Sequence, residues 1–242
     1  MDAIAIEGLT KKFRERSAVD DLNLTVKQGE LFALLGVNGA GKTTTIRMLC
    51  CVLPPTSGDA LLLGDSIVSS PAVVKARINV SPQETAVAPN LTVRENLELI
   101  ARIYGCGRQE ASSRATEMMH VVGLEDRARE RAKTLSGGLQ RRLSIAMALI
   151  SSPQIAFLDE PTLGLDVRAR RGLWQVMSAL KGKMTIILTT HYLEEAEALA
   201  DRIGVIHNGR LQALGTVAEL EAATDTTSLE DAFLKLTDAE AN

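Results

Sequence analysis

The sequence predicts an α/β protein: a mainly parallel sheet covered by helices, with a small antiparallel β-subdomain at the N-terminus and an inserted helical block. Three observations predict it. Strand and helix signals alternate in the first and last thirds of the chain. Residues 84–152 read as helices alone. A glycine-rich turn joins an apolar strand to a helix at 36–43.

Residues 3–9 alternate apolar and polar side chains, as a half-buried strand does, and 22–26 alternate again. Lys27-Gln28-Gly29-Glu30 is a turn into the continuous apolar run 31–35, a fully buried strand. A helix is predicted over 42–52 and stops at Pro54-Pro55-Thr56-Ser57-Gly58. A strand at 59–63, a helix at 71–77 and a short strand at 78–80 follow. The pattern then turns helical. Val93, Leu97, Ile100 and Ile103 recur at helical spacing within 91–104, and helices over 110–122 and 136–150 come next. Strand signals return at 155–158, 184–188 and 202–206, separated by helices over 168–180 and 192–199. Residues 216–242 read as short helices and a polar tail.

Composition narrows the function. The 242 residues are 45% hydrophobic and 24% charged, a globular balance. Aromatics make up only 3%, so Leu, Ile, Val, Ala and Met must build the core. The net charge of −3 and the lack of a basic stripe argue against a nucleic-acid binder. Cys50, Cys51 and Cys106 are too few and badly spaced for a zinc site or a disulfide framework, which fits a reducing compartment. The N-terminus shows no signal-peptide pattern. No apolar stretch approaches the roughly 18 residues that suggest a membrane span, so the expectation is a chain that does not cross a membrane by itself.

Gly36-Val37-Asn38-Gly39-Ala40-Gly41-Lys42-Thr43 has the spacing of a phosphate-binding loop, with Thr44 a near neighbour in the same turn. Glycine lets backbone amides converge on phosphate oxygens, and the helix that follows adds its positive end. Lys42 is placed to reach the terminal phosphates and the Thr43 hydroxyl to ligate Mg²⁺. The strand 155–158 delivers Asp159 and Glu160 to the same edge: Asp159 to hold the metal's shell, Glu160 to face a water in line with the γ-phosphate. His191 ends another buried strand, where open parallel sheets bind ligands. Gln83 also follows a strand, and its amide can reach metal or water. Ser136-Gly137-Gly138 opens a helix as a second anion site. Two phosphate sites for one nucleotide make sense if a second copy of the chain closes over the first.

Taken together these motifs resemble the nucleotide-binding subunit of an ATP-binding cassette (ABC) transporter over nearly all 242 residues. Gln83 stands where that family has its Q-loop, Leu135 to Gly138 its signature, Asp159-Glu160 its Walker B pair, Gly164-Leu165-Asp166 its D-loop and His191 its switch histidine. The resemblance implies a single ABC domain over 1–242. Residues 1–83 and 153–215 would form a P-loop NTPase core, 84–152 the helical subdomain, and 216–242 a C-terminal helical tail. Phe13 would stack on adenine. Leu139 departs from the family's usual glutamine after Ser-Gly-Gly. ATP and Mg²⁺ are the implied ligands, and a homodimer, or a pseudo-symmetric dimer, the implied assembly. A separately encoded transmembrane permease is the implied partner, and the cytoplasmic face of the membrane the implied, peripheral location. Residues 84–91 and the helix 97–104 would line the groove that meets the permease.

A narrower similarity is to type-2 ABC exporters of drugs, antibiotics or lipids. It rests on Gly39 to Ile46, on Pro55-Thr56-Ser57-Gly58 and on Leu229-Glu230-Asp231-Ala232-Phe233-Leu234. The alternative is a soluble ABC-type ATPase of DNA repair or translation, which usually shows coiled-coil insertions, zinc motifs, tandem cassettes or basic arms. A P-loop kinase or GTPase leaves Ser136-Gly137-Gly138 unexplained.

Overall fold

The computed structural model describes residues 1–238. Two strands of 12 residues, β1 (Asp2–Phe13) and β2 (Arg16–Lys27), pair antiparallel, with Phe13 opposite Arg16. β3 (Leu31–Leu35) and α1 (Lys42–Leu49) flank the glycine loop. β4 (Ser57–Leu62) and β5 (Asp65–Ser66) return to the first sheet, whose order is β2-β1-β4-β5. After α2 (Pro71–Arg77) and β6 (Ile78–Ser81) come the long helices α3 (Val93–Ile103), α4 (Arg108–Val122) and α5 (Gly137–Leu149). β7 (Ile155–Asp159), α6 (Val167–Leu180), β8 (Thr185–Thr190), α7 (Leu193–Leu199), β9 (Arg202–His207) and β10 (Arg210–Gly215) lead to α8 (Val217–Thr224) and α9 (Leu229–Asp238).

The second sheet has the order β10-β9-β3-β8-β7-β6. Every pairing in it is parallel except β10 on β9. Its inner strands are buried on both faces, which is why they read as unbroken apolar runs. Successive side chains still diverge. In β7, Ile155 and Phe157 join the core under the antiparallel sheet, while Ala156 and Leu158 join the core under α3 to α6. In β8, Ile187 takes the first core and Ile186 and Leu188 the second. One sheet thus binds two hydrophobic layers and aligns the carboxyl ends of β3, β6, β7 and β8 along one edge.

Some elements differ from the expected ones. β1 and β2 run past residues 9 and 22 because cross-strand pairing, not side-chain alternation, holds Lys12 against Ser17 at the polar tip. The helix expected over 42–52 ends at Leu49. Cys51 turns to φ 55°, and the amides of Val52 and Leu53 both donate to Arg47 O. β5 and β10 were not expected; β10 is a half-buried edge strand with little apolar contrast. The expected tail 216–242 holds α8 and α9, and its positions 239–242 lie outside the described residues.

Phe157 is fully buried on β7, between β6 and β8. Phe157→Ala should cost about 3–5 kcal/mol of unfolding free energy, the usual range for a core phenylalanine. A urea titration of the two proteins measures it as a lowered midpoint.

Candidate active site

Gly36 continues β3, and its amide donates to Thr190 O at 3.2 Å. A Cβ at Gly36 would collide with Ile206 O, and Gly41 adopts φ 110° with its Cα face against Ala18 O. Glycine is therefore required at both ends of the loop, by close approach at one and by backbone angle at the other. The amide of Gly209, in the β9–β10 turn, donates to Ala40 O at 3.0 Å. Ala40 itself is buried.

Lys42 is only 4% exposed. A buried ammonium must be met by oxygens. Its Nζ donates to Gly36 O at 2.7 Å and Val37 O at 3.1 Å, and stands 3.3 Å from Glu160 Oε1. Glu160 Oε2 lies 3.1 Å from His191 Nδ1. One carboxylate therefore stands between the loop lysine and the strand-end histidine, whose Nδ1 approaches it without completing a hydrogen bond.

Thr43 Oγ1 donates to Asp159 Oδ1 at 3.2 Å, and Thr189 Oγ1 donates to the same oxygen at 2.5 Å. The Glu160 amide donates to Thr189 O and Thr189 Oγ1. Glu160 sits at φ 44°, a left-handed conformation that non-glycine residues adopt rarely. These contacts aim its side chain back toward Lys42.

A cavity of about 380 Å³ is lined by Asn38, Gly39, Gly41, Lys42, Thr43 and Thr44, and by Gln83, Glu160 and His191. These sequence-predicted residues are brought together. Ser136, Gly137 and Gly138 do not line it; they stand at the N-terminus of α5, with Ser136 and Gly137 exposed. Phe13 ends β1 with its ring 49% exposed and the Lys11 ammonium 5.4 Å over its centroid. Its cross-strand partner Arg16 does line the cavity, a residue the sequence reading passed over.

The reading also missed Arg141. It is 3% exposed on α5, and its guanidinium donates to four backbone carbonyls: Pro82 at 2.5 Å, Gln83 at 3.1 Å, Asp159 at 2.8 Å and Pro161 at 2.9 Å. Burial draws its pKa down, while Asp159 and Glu195 draw it up. The available signal was a basic residue on the apolar stripe shared with Ile145 and Ala148. Arg141 fixes the segment bearing Gln83 against the one bearing Asp159 and Glu160.

A phosphate cradle, a hydroxyl–carboxylate pair and a second carboxylate facing the cradle's lysine are the parts of a nucleoside triphosphatase of the phosphate-loop class. The family model described as ABC transporter matches residues 19–163, and the chain belongs to the ABC transporter family. The chain is 44% identical over 239 residues to the daunorubicin/doxorubicin resistance ATP-binding protein DrrA of Streptomyces peucetius, covering 98% of this chain and 72% of that protein. It is 40% identical to the linearmycin resistance ATP-binding protein LnrL of Bacillus subtilis, over 88% of this chain and 69% of that one. Human phospholipid-transporting ATPase ABCA3 is 42% identical over 88% of this chain, which spans only 13% of that protein. Among solved structures, the ATP-binding subunit of an ABC transporter superposes with TM-score 0.86 at 29% identity, over 97% of this chain and 99% of that one. A dimeric ATP-binding cassette in a post-hydrolysis state, bound to ADP and Pi, gives TM-score 0.79 at 27% identity, over 88% and 98%.

Arg141→Met should leave four carbonyls without their donor. The expected cost is about 3–5 kcal/mol, as for breaking a buried charged network. A lowered denaturation midpoint checks it, and Arg141→Lys, with one ammonium for four acceptors, should recover only part.

Proposed function

We propose that the chain is the ATP-binding and hydrolysing subunit of an ABC exporter, driven by closure of two copies around ATP. The observation that carries this is Glu160 set between Lys42 and His191 at the mouth of the phosphate loop. Lys42, now satisfied by loop carbonyls and Glu160, would exchange them for phosphate oxygens. Glu160 would then orient and polarise the attacking water, and His191 would donate to the γ-phosphate. Asn38, Gly39, Ala40, Gly41, Thr43 and Thr44 would offer amides and hydroxyls to the phosphates. Phe13 would take adenine on the ring face away from Lys11. Ser136, Gly137 and Gly138 would cap the nucleotide held by the other copy, which accounts for their exposure apart from their own cavity. The dimeric assembly of the ADP-bound relative supports that arrangement.

The Thr43 hydroxyl and Asp159 carboxylate are hard oxygen donors 3.2 Å apart. They suit Mg²⁺, which takes one or two carboxylates and completes its octahedron with phosphates and water. Thr43, Asp159 and Gln83 would hold the ion. When bound it would neutralise charge on the terminal phosphates.

By likeness to its family the subunit would work peripherally, on the cytoplasmic face of the membrane; no helix of the described residues is long and apolar enough to cross a membrane. The division into a core (1–83 and 153–215), a helical subdomain (84–152) and a tail follows the same reading. A groove of about 540 Å³ beside Gln83, Glu84 and Ala86 adjoins the loop, and α3 exposes Leu99 and Ile103 next to Tyr104. The permease would dock there. Substrates of the drug, antibiotic or lipid class are suggested by DrrA, LnrL and ABCA3. The same relatives favour transport over a DNA-repair or translation ATPase.

Wild type and Glu160→Gln should bind ATP alike, with turnover down about 100-fold or more in the variant, the scale of a lost general base. The variant should also form a stable ATP-bound dimer by size-exclusion chromatography. Undiminished turnover would sink the assignment of Glu160. Separately, photo-cross-linkers at Leu99 or Ile103 should capture an integral membrane protein, and linkers on exposed Asp126 should not.

A further inference from the structure

Glu195, on α7, is 0% exposed. It forms no ion pair within bonding distance among the described residues, an expensive condition for a carboxylate unless polar groups surround it. They do. Trp174 Nε1, from α6, donates to Glu195 Oε1 at 3.1 Å. The hydroxyls of Thr190 and Thr162 face the carboxylate, and the Arg170 guanidinium acts on it from α6; all of these favour its charged form, while burial opposes it more strongly and raises its pKa. Neither Thr162 Oγ1 nor Glu195 Oε2 completes a hydrogen bond among the described residues.

The positions of these partners give the cluster its meaning. Thr190 immediately precedes His191. Thr162 lies two residues beyond Glu160, in the turn where the Leu163 amide donates to Glu160 O. Trp174 and Arg170 belong to the helix that begins after Asp166, whose side chain caps it through the Ala169 amide at 2.9 Å. A second connection runs parallel to the first. The Arg170 guanidinium lies between the rings of Trp174 and Tyr192, 5.6 Å from each centroid, and the Tyr192 ring stands 4.1 Å from that of His191. α6 therefore reaches the histidine by two routes, one through a carboxylate and one through stacked rings.

We propose that Glu195 is a positioning residue for ATP hydrolysis, holding His191 and the turn after Glu160 in register with α6. The proposal rests on the hydrolytic roles given to Glu160 and His191 above. The segment leading into α6 is exposed, with Leu163 39% and Val167, the first residue of the helix, 56% accessible, and is open to contact with the second copy. Movement of this segment on dimer closure is then felt at the histidine through Glu195.

The chain has one tryptophan, and it is Trp174, so intrinsic fluorescence reports on this cluster alone among its indoles. The experiment compares wild type, Glu195→Gln, Glu195→Asp, Trp174→Phe and the Glu160→Gln control. Each is assayed for turnover, KM, binding of a fluorescent ATP analogue and thermal midpoint, with Trp174 emission followed during ATP titration where the indole is present. Glu195→Gln keeps an acceptor for Trp174 but loses the charge. Its turnover should fall about 10- to 100-fold, the range typical of outer partners that orient reacting groups. Nucleotide affinity and thermal midpoint should stay close to wild type, and Glu195→Asp should recover part of the rate. ATP should shift Trp174 emission in wild type and shift it less in Glu195→Gln. Wild-type turnover in Glu195→Gln would overturn the proposal. So would a fall in turnover matched by equal losses of affinity and thermal stability. If Glu195→Gln fails to fold, Trp174→Phe decides: several-fold slower turnover at unchanged KM supports the proposal, and an unchanged rate overturns it. Full activity in the Glu160→Gln control would overturn the underlying hydrolytic reading, and this proposal with it.

Discussion

A lysine almost wholly withdrawn from water cannot be left without oxygens around it, and the site is arranged about that constraint. Lys42 begins α1 at the end of the glycine loop, in the wall of the cavity, with only 4% of its surface exposed. Two loop carbonyls and Glu160 meet it. Desolvating such a charge costs several kcal/mol, so the loop, the end of β7 and the end of β8 must be held in fixed relation for the partners to be in place. The parallel sheet does this. Its inner strands are hydrogen-bonded on both sides, and their carboxyl ends stop at one level.

Register then decides which side chains meet. Asp159 pairs with Thr189 across β7 and β8, and the Thr189 hydroxyl bonds its carboxylate. A slip of one residue in either strand would turn that strand's side chain to the opposite face and part the pair. The alternation of core residues along β7 and β8 resists the slip, because each face already has its own hydrophobic layer to satisfy. Site geometry is in this sense a by-product of packing. Arg141 extends the same control sideways to β6, which lies at the sheet's edge and has one strand neighbour.

Much of this was legible from the residues. The phosphate loop, Asp159, Glu160 and His191 are found because each lies at the end of a buried strand with an apolar centre, and such strands end at the ligand edge of a parallel sheet. What escaped did so for identifiable reasons. β10 is half-buried along its length, so hydrophobic contrast does not mark it. The tip of the β1–β2 hairpin is polar, and backbone pairing alone extends it past Leu9, bringing Arg16 to the cavity. Arg141 bonds carbonyls from segments far apart in the chain, and backbone acceptors leave no trace in side-chain identity. Thr189 is one of two threonines in Thr189-Thr190, and only the strand register distinguishes their roles. Glu195 sits in an acidic stretch, Glu194-Glu195, where alternation of exposure rather than composition separates the solvated carboxylate from the buried one.

The amide of Gly209 on Ala40 O also bears on how the chain acquires its structure. The phosphate loop lies near the start of the chain, yet the turn that braces it comes after all the parallel strands of its sheet. During synthesis from the N-terminus, β3 emerges with both of its eventual neighbours, β8 and β9, still unmade. Such pairings close large segments of chain before any contact rewards them, which slows folding and prolongs exposure of apolar edges. Nucleotide capture thus becomes available only once nearly all of the domain has left the ribosome, so an interrupted chain carries the motif without the means to bind through it.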